Sequence, residues 1–458
     1  MFVFNRNKIN HTIWEWVKEL PNQILQKQNE KRDYRIYESF ASILVTQVQK
    51  LAIPNVSFDL YLAVNHFIMN QGKYVFSQLI DFLSHNDFLS CVSKYKGNYK
   101  VKTFTCWHQF LYMVFGQLSN RDSLSDLIVC LQSQQNKSYH LGMGKGTSKS
   151  NLAKANEKRD YRIYESFASI LVTQVQKLAI PNVSFDLSID APVYAIDATV
   201  IDLCLNVFWW GKFRKHKAAV KVHTMLDVKT NIPTFIYITS GAVHEIKALD
   251  YFPLESGSFY VMDKAYIDFG RLYHMHESGA FFILRSKDNF KFVRLSSRQV
   301  DKSTGVKCDQ TIRLKNYKVS LAYPETMRRI KYYDTELEME FCFITNNIEI
   351  TALEVARLYK YRWTIELFFK WIKQHLKVKS FWGYSFNAVK TQIYIAMITY
   401  LLVALVKHQL KLKQTQYEIL QILSISLLCK TPLLELFSNS YPQYVKEQQD
   451  IQLSIFAL

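Results

Sequence analysis

Cysteine is scarce in this chain, and its spacing excludes the usual cysteine-based sites. Seven cysteines occur among 458 residues, and none of them forms a Cys-x-x-Cys pair. This pattern argues against a zinc site and against a disulfide framework. We therefore expect reduced thiols, as in a cytosolic protein. The cysteines are Cys91, Cys106, Cys130, Cys204, Cys308, Cys342 and Cys429.

Long hydrophobic runs are also missing. Residues 1–28 contain no uninterrupted apolar stretch of the kind found in secretory signals. The longest apolar run covers residues 393–406, and its 14 residues are too few to span a bilayer. We therefore expect this run to form a buried helix, with no membrane-spanning segment.

Acidic residues are outnumbered by basic ones. The chain has 39 Asp plus Glu against 57 Lys plus Arg, a net charge of +18, and the basic residues are spread along the sequence. Its 49% apolar and 15% aromatic content is enough for a buried core. The charge favours a polyanionic partner, either nucleic acid or an acidic membrane surface. An ordinary enzyme that happens to be basic is the alternative.

An identical repeat interrupts the first part of the chain. The 32 residues NEKRDYRIYESFASILVTQVQKLAIPNVSFDL occur at 29–60 and again at 156–187. Structural repeats drift in sequence, so an identical copy indicates a recent duplication in the DNA and not a solenoid. The second copy leads into the strand-like VYAIDATVIDL, whereas the first joins no recognisable element. We expect only the second copy to belong to the working fold, with residues 1–68 as a rearranged extension ahead of a natural start at Met69.

The apolar patterns divide the remaining residues into five segments. Residues 69–188 have helical spacing, and residues 189–290 alternate β-rich runs with short helical stretches. Residues 291–350 have the pattern of successive strands with many basic positions. Residues 351–410 are helical again, and residues 411–458 form a helical tail. This order predicts an α/β core with a β-rich insertion, preceded by an all-helical domain and followed by C-terminal helices.

Three acidic residues occupy unusually apolar surroundings. They are Asp197 in YAIDAT, Asp263 in FYVMDKAY and Glu366 in an aromatic helix. A carboxylate in such a place is costly to bury unless it is paired or binds a metal ion. Each of them could also be an ordinary cap or strand-end acid. Asp202 and Asp268, five residues further along each strand segment, compete for the first two positions.

The helical stretch around Glu366 carries the more specific pattern. At about 100° per residue, Tyr359, Arg362, Glu366 and Lys373 fall within about 60° of one helix face. That face combines a phenol, two cations and an acid, which neither a core nor a solvated surface requires. An i,i+4 ion pair between Arg362 and Glu366 is the simpler interpretation. It leaves Tyr359 and Lys373 unexplained.

These four residues resemble the Tyr-Arg-Glu-Lys signature of the insertion-sequence transposases of the IS-four family. The resemblance covers about residues 74–410. FTCWHQFLYMVFGQLSNRDSLSDL is similar to the helical N-terminal region of that family. AIDATVIDL and VMDKAYIDF are similar to its first two catalytic segments.

The resemblance implies a DDE transposase with a ribonuclease H-like catalytic core and a helical DNA-binding domain at 69–188. It implies that Asp197, Asp263 and Glu366 are catalytic and bind two Mg²⁺ ions, for which Mn²⁺ can substitute. Carboxylate oxygen is the ligand that such hard ions prefer. Arg362 and Lys373 would then hold phosphates, and Tyr359 would contact the DNA backbone or pack near it.

The partners and location follow from the same resemblance. It implies binding to double-stranded DNA, at the inverted-repeat ends of the element and at the target, and cut-and-paste transposition by a homodimer. It further implies a bacterial cytoplasmic protein that joins the nucleoid when bound to DNA. A catalytically silent DNA-binding remnant and a structure-specific nuclease on the same core are the alternatives.

Two other basic stretches suit DNA. Residues 208–223 interleave aromatic residues with cations, which suits a DNA backbone and unstacked bases. A half-buried sheet edge with extended lysines explains this stretch nearly as well. Residues 142–156 could open a recognition helix that places Lys149 on DNA, although a surface turn and helix is the plainer reading. The cations of the first stretch are Lys212, Arg214, Lys215, Lys217 and Lys221.

The repeat generates a prediction about truncation. A chain that begins at Met69 should unfold as cooperatively as the full chain and should bind duplex carrying the element ends no more weakly. The reason is that the copy at 29–60 duplicates an apolar face that has only one matching groove. Urea unfolding and a DNA mobility-shift titration measure both properties. An insoluble product, or one that has lost DNA binding, would show that the extension is part of the fold.

Overall fold

A computed structural model describes the main body of the chain. It describes residues 72–179, 187, 189–214, 217–287 and 290–438, without the side chains of residues 209, 213, 214 and 217. Within these residues the chain forms 13 α-helices and ten β-strands. The predictions about residues 1–68, about the first repeat copy and about the tail beyond residue 438 fall outside the described residues.

In the described part of the chain, six helices precede the first strand, in agreement with the helical pattern of the sequence. Four of them begin at a Ser or Thr whose side-chain oxygen accepts a backbone N–H, which is a common signal for a helix start. One of these caps is Ser123, in the predicted turn between the third and fourth helices. The helices are α1 (Val75–Ile80), α2 (His85–Lys94), α3 (Cys106–Leu118), α4 (Leu124–Gln132), α5 (Lys149–Lys158) and α6 (Arg162–Leu178).

The second repeat copy contributes a core helix. Helix α6 lies within it, and Ile163, Phe167 and Leu171 are fully buried on one face. These residues are the counterparts of Ile36, Phe40 and Leu44 in the first copy. The apolar face predicted from the sequence therefore packs into the fold where the second copy places it.

The ten strands form one mixed sheet. Its central order is β4–β3–β1–β5–β6, in which β3 is antiparallel to β1 while β5 and β6 run parallel to it. Strand β2 pairs with the start of β3. The strands are β1 (Val193–Leu203), β2 (Lys212–Arg214), β3 (Lys217–Asp227), β4 (Ile232–Ser240), β5 (Phe259–Met262), β6 (Phe281–Arg285), β7 (Phe292–Arg298), β8 (Val306–Leu314), β9 (Met327–Asp334) and β10 (Met339–Thr345).

The β-rich segment 291–350 enlarges this sheet. Strand β10 pairs with β6, and β9, β8 and β7 follow in antiparallel order. Strand β7 is exposed along almost its whole length and forms the edge. Two short helices accompany the strands, α7 (Phe269–Glu277) between β5 and β6 and α8 (Tyr317–Ala322) between β8 and β9.

The two faces of the sheet belong to different cores. Ala195 and Val261 join the large core that also contains the N-terminal and C-terminal helices. Their neighbours Ile196 and Met262 join a smaller core on the opposite face. This is the alternation expected of strands that are covered on both sides. The helical region and the sheet therefore share a core.

The last five helices pack on the large core. They are α9 (Ala352–Lys360), α10 (Trp363–His375), α11 (Phe386–Gln409), α12 (Gln416–Ser426) and α13 (Leu433–Ser438). Among the described residues, α11 is the one helix long and apolar enough to cross a membrane by length and composition, and its most apolar stretch is wholly buried. The predicted buried run 393–406 lies inside it.

A buried ion pair ties the enlarged part of the sheet to the helix that follows. Nε and Nη2 of Arg328 donate to the two carboxylate oxygens of Asp309 at 2.8 and 2.6 Å, and both side chains are at most 5% exposed. A third donor, Nη1, reaches the carbonyl oxygen of Ile350 at 2.5 Å, just ahead of α9. Burial acts to raise the pKa of Asp309, but the guanidinium groups of Arg328 and Arg298 lower it overall.

We predict that Arg328→Met lowers the free energy of unfolding by about 3 kcal/mol or more, because it removes the principal partner of a buried carboxylate. Lys331→Met is the control on the same strand. It removes an exposed pair with Glu340 and should cost less than about 1 kcal/mol. Urea unfolding measures both variants. Equal losses would contradict a special role for the buried pair.

A buried histidine predicts a pH dependence of stability. His223 on β3 is fully buried, and its Nε2 lies 2.9 Å from Thr239 Oγ1. Burial, together with the nearby Lys221 ammonium, lowers the pKa of His223 to about 4. In the unfolded chain a histidine has a pKa of about 6.5. The stability that comes from keeping this ring neutral is therefore present above pH 6.5 and is lost as the pH falls towards 4.

We predict that the wild-type chain loses about 2 kcal/mol of this contribution between pH 7.5 and pH 5. The His223→Gln variant should lack that slope, whatever its absolute stability. His140→Gln, at an exposed position, should retain the wild-type slope. Urea unfolding across this pH range provides the measurement. A His223→Gln slope equal to that of the wild type would contradict the prediction.

Candidate active site

Two of the predicted acids follow paired residues of neighbouring strands. Ile196 pairs with Met262 across the parallel strands β1 and β5. Asp197 comes next within β1, and Asp263 comes directly after the last residue of β5. By alternation Asp197 lies on the face covered by the large core, and α10 packs against β1 on that face. The strand register therefore brings the backbones of the two acids to neighbouring positions.

The third acid, Glu366, lies on a helix that is separate from the one before it. The sequence predicted one helix through Tyr359 and Lys373, and this is wrong, because α9 ends at Lys360 and α10 begins at Trp363. Backbone N–H groups at the junction bond three residues back, as in the bonds Arg362 to Tyr359 and Ile365 to Arg362. A tighter turn therefore separates α9 from α10. Glu366 sits in the first turn of α10.

Arg362 connects two of the acids. Its Nη2 lies 2.6 Å from Glu366 Oε1, and its Nη1 lies 3.8 Å from Asp197 Oδ2. The i,i+4 ion pair that the sequence offered as the simpler interpretation is therefore formed, and it extends to a second carboxylate. Below it, Tyr359 is buried against Phe343 with ring centroids 4.7 Å apart, so this tyrosine serves as a packing partner.

The electrostatics of Asp197 are unusual for an aspartate. Burial raises the pKa of Asp197 to about 6, although the N–H of Ala198 and the charge of Arg362 act in the opposite direction. The negative charges of Glu366 and Glu245 add to the increase. A cation beside this carboxylate is therefore stabilising. Perturbation of this kind is typical of functional sites.

An open cleft of about 450 Å³ lies over these residues. Asp197 and Glu366 line it together with Lys373, which is half-buried and whose pKa burial lowers. Two further cations, Lys370 and Lys379, also line it. Sequence reasoning did not select these two, although their spacing from Lys373 is visible in KWIKQHLKVK. The cleft thus combines acids at its base with cations around them.

The competing acids lie in different surroundings. Asp202 is exposed near the end of β1. Asp268 caps α7 by accepting the N–H of Arg271, and it also pairs with the guanidinium of that residue at 3.0 Å. Its carboxylate is therefore engaged in a local structural role.

The donor set suits a hard cation, although the three acids do not form a closed cluster. Among the described residues, no group of three or more His, Cys, Asp or Glu side chains is placed to hold a metal ion. Asp197 and Glu366 nevertheless already share one positive charge, that of Arg362. Two buried hydroxyls nearby have no hydrogen-bond partner within the described part of the chain. One belongs to Thr224, which pairs with Asp197 across β1 and β3, and the other to Tyr266, in the turn after Asp263.

The other predicted DNA contacts are scattered. Lys149 is exposed at the start of α5, and Lys212 is exposed on β2. Arg214 and Lys217 are placed by their backbone only, and Lys215 lies outside the described residues. Lys221 does not lie on the surface as predicted. It is 7% exposed, and its ammonium is 3.0 Å from the carbonyl oxygen of Val243 and 3.3 Å from Glu245.

Comparisons with known proteins identify the family of the chain. A model of the transposase DDE domain family matches residues 189–402, and a model of a domain of unknown function matches residues 71–144. The Sinorhizobium fredii protein y4zB, named as a transposase, is 30% identical over 61% of this chain and 76% of its own length. The chain belongs to the DDE transposases of insertion sequences.

Two further relatives carry names of the same kind. A Geobacillus stearothermophilus protein, named as the transposase for insertion sequence element IS5377, is 26% identical over 58% of this chain and 69% of its own length. A Synechocystis protein, named as the transposase for IS4SA, is 27% identical over 56% and 71%. A solved piggyBac transposase synaptic complex with hairpin DNA aligns at 10% identity with a TM-score of 0.42, over 85% of this chain and 86% of that chain. That structural likeness is too weak to define the fold.

Proposed function

We propose that this transposase moves its insertion sequence by metal-dependent cut-and-paste chemistry, with Asp197, Asp263 and Glu366 as the catalytic acids. The observation that carries the proposal is the strand register, in which Asp197 and Asp263 each follow one residue of the pair formed by Ile196 on β1 and Met262 on β5. Helix α10 brings the third acid into the cleft that Asp197 lines. The acids come from sequence positions separated by 66 and 103 residues. Their approach is therefore a property of the fold.

We assign the central sheet to the ribonuclease H-like class. The order β4–β3–β1–β5–β6, with only β3 antiparallel to the rest of the β3–β1–β5–β6 group, supports this assignment. Strands β7 to β10 then form an insertion between β6 and α10, which explains the longer second spacing between the acids.

The proposed division of labour follows from the residue types. Asp197, Asp263 and Glu366 would hold Mg²⁺, or Mn²⁺ in its place. When bound, such ions activate an attacking oxygen and stabilise the leaving oxygen in phosphoryl transfer. Arg362 contacts Glu366 and Lys373 lines the same cleft as that acid, and both would orient phosphates of the DNA strand. Tyr359 supports Arg362 from below, with the guanidinium 5.9 Å from the centre of its ring.

The proposed DNA partner is the double-stranded end of the element, followed by target DNA. The net charge of +18 and the cations that line the cleft favour it. Lys149 and Lys212 are exposed and are kept as proposed backbone contacts. Lys221 is left out, because its ammonium is already held within the protein. We further propose that the chain acts as a homodimer in the bacterial cytoplasm.

The test is strand cleavage of duplex carrying the inverted-repeat ends, in the presence of Mg²⁺ or Mn²⁺. Asp197→Asn, Asp263→Asn and Glu366→Gln should each lower the rate by at least about 10³-fold, since the acids act as one unit. Asp202→Asn, on the same strand as Asp197 but exposed, should cleave within about threefold of the wild type. Circular dichroism and DNA binding show whether each variant is folded.

Other outcomes separate the alternatives. End binding without cleavage by the wild-type chain would indicate a silent remnant, and cleavage of duplex without ends would indicate a structure-specific nuclease. Loss of activity in Asp202→Asn or Asp268→Asn, with Asp197→Asn or Asp263→Asn active, would transfer the assignment to the competing acids.

A further inference from the structure

Arg362 holds the position between two carboxylates where a metal ion is proposed to bind. Its guanidinium contacts Glu366 at 2.6 Å and approaches Asp197 to 3.8 Å. The Arg362 side chain is only 16% exposed, so solvent screens these interactions weakly. A buried cation shared by two acids offsets part of the negative charge of each.

One hydrogen-bond donor of the Arg362 guanidinium is not used in these contacts. The Nε–H of Arg362 is buried and has no hydrogen-bond partner among the described residues. A buried donor of this kind costs free energy until an acceptor reaches it. The cleft beside Glu366, the acid that Arg362 contacts, is lined by Lys370, Lys373 and Lys379, which attract anions. A phosphate oxygen is an acceptor that suits both the guanidinium and its surroundings.

A divalent metal ion and the Arg362 guanidinium cannot both bind fully to Asp197 and Glu366. A divalent ion between Asp197 and Glu366 would repel the guanidinium that now lies there. The two binding events are therefore coupled, and the coupling is reciprocal. A group that draws Arg362 away strengthens metal binding, and metal binding releases Arg362.

We propose that Arg362 exchanges between the carboxylates and a DNA phosphate, so that the metal site is closed by its own arginine until DNA enters the cleft. The proposal rests on the proposed function, since it takes Asp197 and Glu366 to be metal ligands. Arg362 is then a positioning residue whose first effect is on metal affinity, before any strand is cut.

The experiment is a Mn²⁺ titration of the full chain without DNA, followed by calorimetry or by the electron paramagnetic resonance signal of free Mn²⁺. Arg362→Gln should bind Mn²⁺ at least about fivefold more tightly than the wild type. Arg357→Gln makes the same substitution at an exposed position of α9. It should stay within about twofold, which controls for the loss of one charge.

A second titration adds a short blunt duplex, with the Mn²⁺ bound by duplex alone subtracted. The duplex should tighten Mn²⁺ binding to the wild type about as much as Arg362→Gln does without DNA. Adding the duplex to Arg362→Gln should tighten its Mn²⁺ binding by a smaller factor. Arg362→Lys keeps the charge but cannot bridge two carboxylates with a planar fork, so it should bind Mn²⁺ more tightly than the wild type without DNA. It serves as the test if Arg362→Gln does not fold.

Glu366→Gln separates failure of this inference from failure of the proposed function. If Glu366→Gln binds Mn²⁺ as well as the wild type does, the proposed metal site is wrong. If Glu366→Gln loses binding while the Arg362 variants bind no more tightly than the wild type, the metal site stands and the exchange is overturned.

Discussion

The parallel pairing of β1 with β5 is the constraint on which the site depends. Parallel strands keep a matched register, so the residues that follow Ile196 and Met262 lie at neighbouring positions, Asp197 within β1 and Asp263 just after β5. A slip of one residue would turn Asp197 to the opposite face and into the smaller core. The buried neighbours on both strands oppose such a slip, because it would exchange apolar for polar groups on both faces. The geometry of the acids is therefore stabilised by the packing of the sheet.

The strands that enlarge the sheet also help to position Glu366. Strands β7 to β10 extend the sheet from β6. Arg328 on β9 pairs with Asp309 on β8 and also donates to the carbonyl oxygen of Ile350, just ahead of α9. Helix α9 leads directly into the tight junction at Arg362 and then into α10. The position of Glu366 thus depends on interactions made far from the cleft. A buried ion pair suits this role, since it is directional and costly to break.

The cleft contains both acids and cations, and the acids already hold one of the cations in place. Cations surround the acids, and one of them, Arg362, is already engaged by Asp197 and Glu366. The raised pKa of Asp197 reflects the cost of gathering negative charge in a buried place. Any ligand of this cleft, whether metal or phosphate, changes that balance. Electrostatic coupling between ligands is therefore a natural property of the site.

The sequence by itself determined the order of elements and the residues of chemical interest. The helical spacing of 69–188, the β-rich runs and the buried run at 393–406 all follow from local periodicity, which is encoded in short stretches. The same is true of the acids, since Asp197, Asp263 and Glu366 each stand out against an apolar background. The resemblance of the Tyr-Arg-Glu-Lys residues to a known signature added the family.

Only the tertiary structure decided which side chains meet. The break between α9 and α10, the burial of Lys221 beside Glu245 and the union of both helical regions with the sheet in one core depend on contacts between distant segments. Periodicity could not place Arg362 between two carboxylates, because Asp197 lies 165 positions away along the chain. Hydrogen bonding and packing across such separations are set by the whole fold, and no short stretch of sequence contains them.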